Sequence, residues 1–472
     1  MCVLAQSKTA KADGSSRMLT EPIPKIILIM AFPTIIAFLI NSIYSLADTF
    51  FVSSLGTNAT AAVSVNSSLD QFIMMGGSML AVGANSYIAR LLGAGKKDKA
   101  NETLSTAFFL ALAFGSLIAV CGMTFMKPMV RLMGATSTCE SYAIEYATYV
   151  LMVAPLMAAN FVMNQCLRAE GSAMRSMLGM ALGGVLNCFL DPIFIFGLGM
   201  GVAGASMATA ISKVVSFAIL FYPYLRHKSV LLISYKMFRL EKKMLTEIVN
   251  VGSSSMLRSA LSVVSAIVLN NIAGSISDSV LAGIGVSTKI MMFPFGIILG
   301  FGSGFQPVTG FNWGAKRYDR VKDSFRFASL FSIAGSLLMT LFLCMFTNPL
   351  IALFAKADLQ THAIGALCIR SQSLVLAIHG WVAVVNMFCA GLGDARGARL
   401  LSTARQGSCF LPIVYPMAWL WSGNGLACVQ AAADVISLVL AFPVLARILR
   451  KVSNAEKQAQ QISDTQPLVA EA

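Results

Sequence analysis

The sequence predicts an all-α membrane protein with twelve transmembrane helices in two six-helix lobes, related by a pseudo-two-fold axis along the membrane normal. Three observations carry that prediction. Hydrophobic residues make up 57% of the 472 and charged residues only 12%, with a mean hydropathy of +0.74, whereas soluble domains carry about 25% charged residues. The apolar residues fall into twelve runs, each long enough for the roughly 20 residues that cross a bilayer. The chain also resembles itself when shifted by 221 residues.

Taken in order, residues 1–20 are polar and lack the apolar core of a cleaved signal peptide, so the first span is expected to direct insertion. Six runs follow, near 26–52, 61–91, 103–126, 142–168, 174–197 and 201–225. A second six lie near 247–273, 279–311, 325–347, 364–391, 398–421 and 425–447. The only long connection, RHKSVLLISYKMFRLEKKMLTE at 226–247, divides six from six, and its KMFRLEKKM portion suits an interfacial amphipathic helix. The expected organisation is therefore a cytoplasmic segment 1–23, an N-lobe 24–225, a cytoplasmic connection 226–246, a C-lobe 247–449 and a disordered polar tail 450–472.

A net charge of +14 and a pI of 9.4 raise the question of nucleic acid. The charges sit instead in alternate gaps between spans. With the N-terminus inside, the cytoplasmic segments hold 27 of the 35 Lys and Arg residues, and Lys127, Arg131 and Lys356 are the outer exceptions. That bias places both termini in the cytoplasm. The bilayer is therefore the expected partner of these charges, and nucleic acid is not. Ten cysteines, mostly single and within spans, form no CxxC pair and read as small packing residues.

The repeat sets 61–107 on 282–328 without a gap: AAVSV meets AGIGV, Gly83 meets Gly304, and LGAGKKDKANET meets WGAKRYDRVKDS. Each half has an even number of spans, so both enter the membrane in the same direction, with a cavity expected between them. Such repeats favour a transporter over a channel, receptor or enzyme. GAGKKDK and GAKRYD lack the GxxxxGK[ST] spacing of a phosphate loop. His227, His362 and His379 form no metal-spaced cluster, and no Ser/His/Asp arrangement is readable.

Five stretches, SIYSLADTFFVSSLG, GANSYIARLLGAGKKDKA, GVLNCFLDPIFIFGLGMGVAGASMATAIS, GFGSGFQPVTGFNWGAKRYDRV and AGLGDARGARLLSTARQG, resemble the multidrug and toxic compound extrusion (MATE) family, and its DinF-like bacterial branch in particular. The resemblance implies efflux of organic, often cationic, compounds in exchange for inward protons or sodium ions, with no cofactor beyond that coupling ion. It implies that Asp48, Asp191, Asn187 and Thr209, with Tyr44 beside them, hold the proton or sodium ion in the N-lobe. Where the family's other branch carries acids in spans seven and ten, this chain has Arg258, Arg370 and His379.

Depth supports that grouping independently. Asp48, Asp191 and Thr209 each lie six to ten residues from an outer turn, roughly 9–15 Å below the surface. Tyr44 precedes Asp48 by four and Asn187 precedes Asp191 by four, so each pair shares a helix face. A charged carboxylate at this depth costs on the order of 3 kcal/mol and must meet water, a partner or a proton. Two neighbouring carboxylates cannot both stay ionised cheaply, so the pair suits a proton or a hard cation. Pro33 and Pro192 loosen the helices beside them.

Other polar groups within apolar runs are candidates for lining the cavity: Asn160 and Asn164 at i, i+4, Asp70, Glu145, Met163 in the Met-rich MNQCLRAEGSAMRSMLGM, and Arg405 in TARQG. Lys213, Arg258 and Lys289 read as locally paired or snorkelling bases. The alternative function is a lipid-linked precursor flippase of the same wider superfamily, which would need a conspicuous set of cavity bases.

Overall fold

The computed structural model describes residues 14–136, 139–352 and 358–465, and no strand occurs among them. Residues 1–13, 466–472 and the outer Lys356 lie outside the described residues. A short helix, Gly14–Thr20, precedes span one, Ile23–Ser53. Spans two to four are Thr57–Gly93, Lys97–Thr124 and Glu140–Ala169, with a short helix Met126–Leu132 before the last. Span five, Ala173–Pro192, runs into a π-helical turn, Ile193–Gly197, and span six is Gly201–Leu225. Pro192 has no amide hydrogen, which explains why the helical ladder slips there.

The second half repeats the plan with Lys242–Ile276, Asp278–Gly314 and Tyr318–Ala352 as spans seven to nine. Span ten is broken into Leu359–Leu374 and Leu376–Gly391, bent by 51°. Span eleven starts as Ala395–Thr403, passes a π-helical turn Ala404–Ser408 and enters Phe410–Thr465. Unbroken, those 56 residues would run roughly 84 Å, far beyond a bilayer. Ser422, at φ 50°, breaks them into the end of span eleven and span twelve. With the bent pair counted as one span and the broken run as two, the described helices make twelve crossings.

The two halves meet reciprocally. Span one packs on span eight and span two on span seven, as a two-fold requires, with spans two and eight side by side at the axis. A Cβ added to Gly93 would lie 2.0 Å from the Phe311 carbonyl oxygen, and one added to Gly314 would lie 2.0 Å from that of Arg90. Residues 90 and 93 correspond to 311 and 314 at the 221-residue shift, so one contact is made twice about the axis. Such close approach is open to glycine alone. Helix ends repeat as well. Lys96 N–H bonds Leu91 O at 2.9 Å and Arg317 N–H bonds Asn312 O at 2.9 Å, the six-to-one bond of a Schellman cap. The left-handed position of that cap is Gly95 (φ 72°) in one half but Lys316 (φ 58°) in the other.

The N-lobe interior mixes many alanines with Leu, Ile and Val, and the small residues let helix backbones approach closely. Large apolar residues such as Phe50, Leu338 and Trp419 face outward, as lipid contact demands. The face with the Gly93–Phe311 contact also carries the basic turns and both described chain ends, and is called the basic face below.

Two expectations about connections are corrected. Residues 226–241 form no amphipathic helix beyond a turn at Tyr235–Met237, and 242–247 already belong to span seven. The connection's amides are taken by side chains of the N-lobe: Leu231 N–H by Glu170 (3.1 Å), Leu232 N–H by Asn101 (2.9 Å), Ser234 N–H by Ser105 (3.1 Å) and Arg239 N–H by Thr106 (3.1 Å). Amides so engaged cannot close helical turns. The tail expected to be disordered from 450 continues as helix to Thr465, tied to span nine by the Lys322–Glu456 ion pair.

Candidate functional site

The N-lobe site is built around span five. Glycines 183 and 184 let neighbours close in: a Cβ on Gly184 would sit 3.5 Å from the Tyr44 ring of span one, and a Cβ on Gly183 would sit 2.9 Å from Ser216 of span six. One turn on, the Asn187 amide donates to Asp191 Oδ1 and to Thr209 Oγ1, both at 3.2 Å. Tyr146 of span four is buried on the other side, next to Thr209. Asn187 and Asp191 are buried, and Asp48 is half-buried close enough for its charge to act on Asp191.

Lys213 of span six completes the arrangement. Its Nζ lies 3.5 Å from the Tyr44 hydroxyl and 5.3 Å from that ring's centre. The charges of both Asp48 and Asp70 reach it. Asp70, expected in the cavity wall, does not line it and instead lies within electrostatic reach of Asp48 and Lys213. One oxygen each of Asp48, Asp70, Asp191 and Asn187 is buried with no hydrogen-bond partner. Such orphaned acceptors are costly unless a proton or cation visits them.

The chemistry of that donor set fits a small hard cation through carboxylate, amide and hydroxyl oxygens, and it fits a proton equally. Among the described residues no three His, Cys, Asp or Glu side chains converge tightly enough to hold a metal ion by themselves. A sodium ion there would lean on Asn187 and Thr209 as well as the acids.

Beside this site, between the lobes, lies a cavity of about 310 Å³. Tyr44, Asn187, Thr209 and Lys213 line it, so the acidic site and the cavity share residues. Asn160 and Asn164 line it. Asn164 donates to Ser176 O at 3.1 Å, and Asn386 of span ten donates to Ala398 O at 2.9 Å and also faces the cavity. Both pairs span twelve residues and differ by a shift of 222, so the two-fold extends to the cavity wall. The sequence repeat marks Asn386 as the counterpart of Asn164.

Three candidates lie elsewhere. Met163 is wholly buried in the N-lobe core, packed among span neighbours. Glu145 is exposed on the outside of span four, because the adjacent Tyr146 takes the inward direction. Arg405 belongs to a separate C-lobe cluster: its Nε donates to Asp434 at 2.7 Å, its guanidinium lies 4.3 Å from the Phe295 ring centre, and His379 stands 3.7 Å from the same carboxylate. The sequence reading missed Lys213 and Arg168 as site residues, since lone bases in spans look the same whether they snorkel or converge.

A twofold helical repeat around a central cavity, with acids buried beside it, defines a membrane transporter. The family model described as MatE matches residues 33–193 and again 254–420, with starts 221 residues apart, and the chain belongs to this family. It is 28% identical over 410 residues to the multidrug export protein MepA of Staphylococcus aureus, covering 86% of this chain and 90% of that one. A crystal structure of MATE in complex with MaL6 superposes with a TM-score of 0.89 at 26% identity, over 95% of this chain and 100% of the other. An outward-facing multidrug resistance MATE transporter of the MOP superfamily gives 0.88 at 26% identity, over 95% and 100%.

Proposed function

We propose that the protein is a secondary antiporter exporting organic compounds of varied structure in exchange for inward protons or sodium ions. The observation that carries this is the set of unpartnered buried oxygens on Asp48, Asp70, Asp191 and Asn187 beside Lys213, sharing residues with the cavity. Ionised, three carboxylates and one ammonium leave two negative charges in excess, so the site gains by taking up a cation. Asn187 holds Asp191 and Thr209 in register, and Tyr44 and Lys213 pass the change to the cavity wall. The similarity to MepA, a multidrug export protein, supports a broad substrate range.

The basic face is assigned to the cytoplasm of a bacterial inner membrane, with both termini there, and the protein acts as a monomer with no catalytic activity. Spans one, two, seven and eight pack together on that face. This supports an outward-facing arrangement, with the opposite state opened by rocking the two lobes about their shared axis.

The test is reconstitution in vesicles with a proton or a sodium gradient imposed separately. Export driven by one gradient and lost in both Asp48→Asn and Asp191→Asn supports the reading; undiminished gradient-driven export in both variants overturns it. The second reading, a flippase for a lipid-linked anionic precursor, draws support from one observation: three bases, Arg168, Lys213 and Arg258, face one cavity.

A further inference from the structure

Every charged residue that lines the central cavity is basic: Arg168 from span four, Lys213 from span six and Arg258 from span seven, with no Asp or Glu among the described lining residues. Lys213 has acids for company, as set out above. The two arginines do not. Arg168 is 3% exposed. Its guanidinium meets only the backbone and side-chain oxygens of Asn164, and its Nη1 is buried without a partner. Arg258 bonds only the hydroxyl of Ser255, at 3.2 Å. Among the described residues neither takes part in an ion pair.

A guanidinium cannot shed its proton and presents a planar fork suited to carboxylate and phosphate oxygens. A buried one with no counter-charge is costly unless a ligand supplies it. The two arginines come from opposite lobes, so an anion held by both bridges the surfaces that separate during rocking. The rest of the wall mixes Ser, Asn and Gln side chains with Met74, Met157, Met180 and Leu299, and the methionines are flexible groups that accommodate varied apolar shapes.

We infer that the cavity takes amphipathic organic anions, an acid group of carboxylate or phosphate type on an apolar body, and not the cations that the family resemblance implied. This rests on the antiporter reading and fixes the substrate's charge. It has an electrical consequence. An organic cation leaving against one entering proton moves no net charge, whereas a monovalent anion leaving against one proton moves two positive charges inward. An inside-negative potential alone then speeds export.

The probes are 2-naphthoate and 2-naphthyltrimethylammonium, close in shape and opposite in charge, titrated calorimetrically against the full-length protein in neutral phosphatidylcholine nanodiscs. Naphthoate is expected to bind at least tenfold more tightly. Arg258→Gln should remove that preference, with Arg258→Lys keeping part of it. Because Arg168 is deeply buried and its replacement can prevent folding, the half-buried Arg258 carries the test. Equal or tighter binding of the ammonium, or an Arg258→Gln protein that still prefers naphthoate tenfold, overturns the inference.

Adding phosphatidylglycerol separates the two sources of such a ligand. Competition with naphthoate that disappears in Arg258→Gln assigns the site to a lipid headgroup, and absence of competition assigns it to a soluble anion. Gradient-driven export is read separately in vesicles. Export of the ammonium without anion preference refutes only the charge assignment, and anion binding without gradient-driven export refutes only the antiporter.

Discussion

Alanine at position 314 should unlatch the basic face. The added Cβ would stand 2.0 Å from the Arg90 carbonyl oxygen, 1.4 Å short of the 3.4 Å at which ordinary contact begins. The obstacle is backbone in the last turn of span two, so no rotamer change relieves it, and spans two and eight must move apart. Overpacking of this kind costs about 1–3 kcal/mol. The cost falls only on the state in which these helices touch. The balance between closed and open basic faces therefore shifts by on the order of 5- to 150-fold. Since Gly93 makes the mirror-image contact at the same distance, Gly93→Ala should shift it by a similar factor. The double variant should be close to additive if the helices part as rigid rods, and less than additive if the first substitution has already separated them. Spin labels at Lys97 and Arg317, exposed on the two lobes at this face, report the change in a cysteine-free background. The expected result is a new population at longer distance with unchanged yield of folded protein, and slower export. An unaltered distance distribution together with wild-type export in Gly314→Ala would refute the reasoning.

Asn187→Ala strips Asp191 and Thr209 of a shared donor, a loss of about 1–3 kcal/mol, so gradient-driven export should fall about tenfold or more while substrate binding in detergent persists; equal loss of both would mean general damage. Arg405→Ala leaves Asp434 buried without its partner, a destabilisation of about 3–5 kcal/mol, visible as an earlier thermal unfolding transition. Replacing both, as Arg405→Met with Asp434→Leu, should recover most of it, and a double variant as unstable as the single one would speak against an ion pair. Lys316→Gly relieves a left-handed backbone of about 1 kcal/mol and should raise the same transition without touching export.

The twelve spans, their order and their division into halves were readable because bilayer thickness imposes length and apolar character on every crossing. The repeat was readable where turns conserve chemistry, as in the glycines and lysines after spans two and eight. Depth put Asp48, Asp191 and Thr209 at one level and helix face paired Asn187 with Asp191, while their grouping into one site came from the family resemblance. Rotation about each helix axis was harder to read. Glu145 and Tyr146 are neighbours in sequence, yet one faces outward and the other reaches the site. Met163 looked like a binding residue by type but is packed from all sides. Convergence across helices is invisible to one-dimensional reading, which is why Lys213 appeared as an isolated base while it lies among acids. The 226–247 connection misled for a related reason: its amphipathic spacing suited a helix, but hydroxyls and carboxylates from distant spans claimed its amides.

The paired contacts of Gly93 with residue 311 and of Gly314 with residue 90 carry an evolutionary implication. Each half donates one glycine and one carbonyl to a self-complementary handshake, which is the contact two copies of a half-length ancestor would make as a parallel homodimer. Gene duplication and fusion then need no new interface. They join what already fitted, and afterwards leave each copy free to diverge.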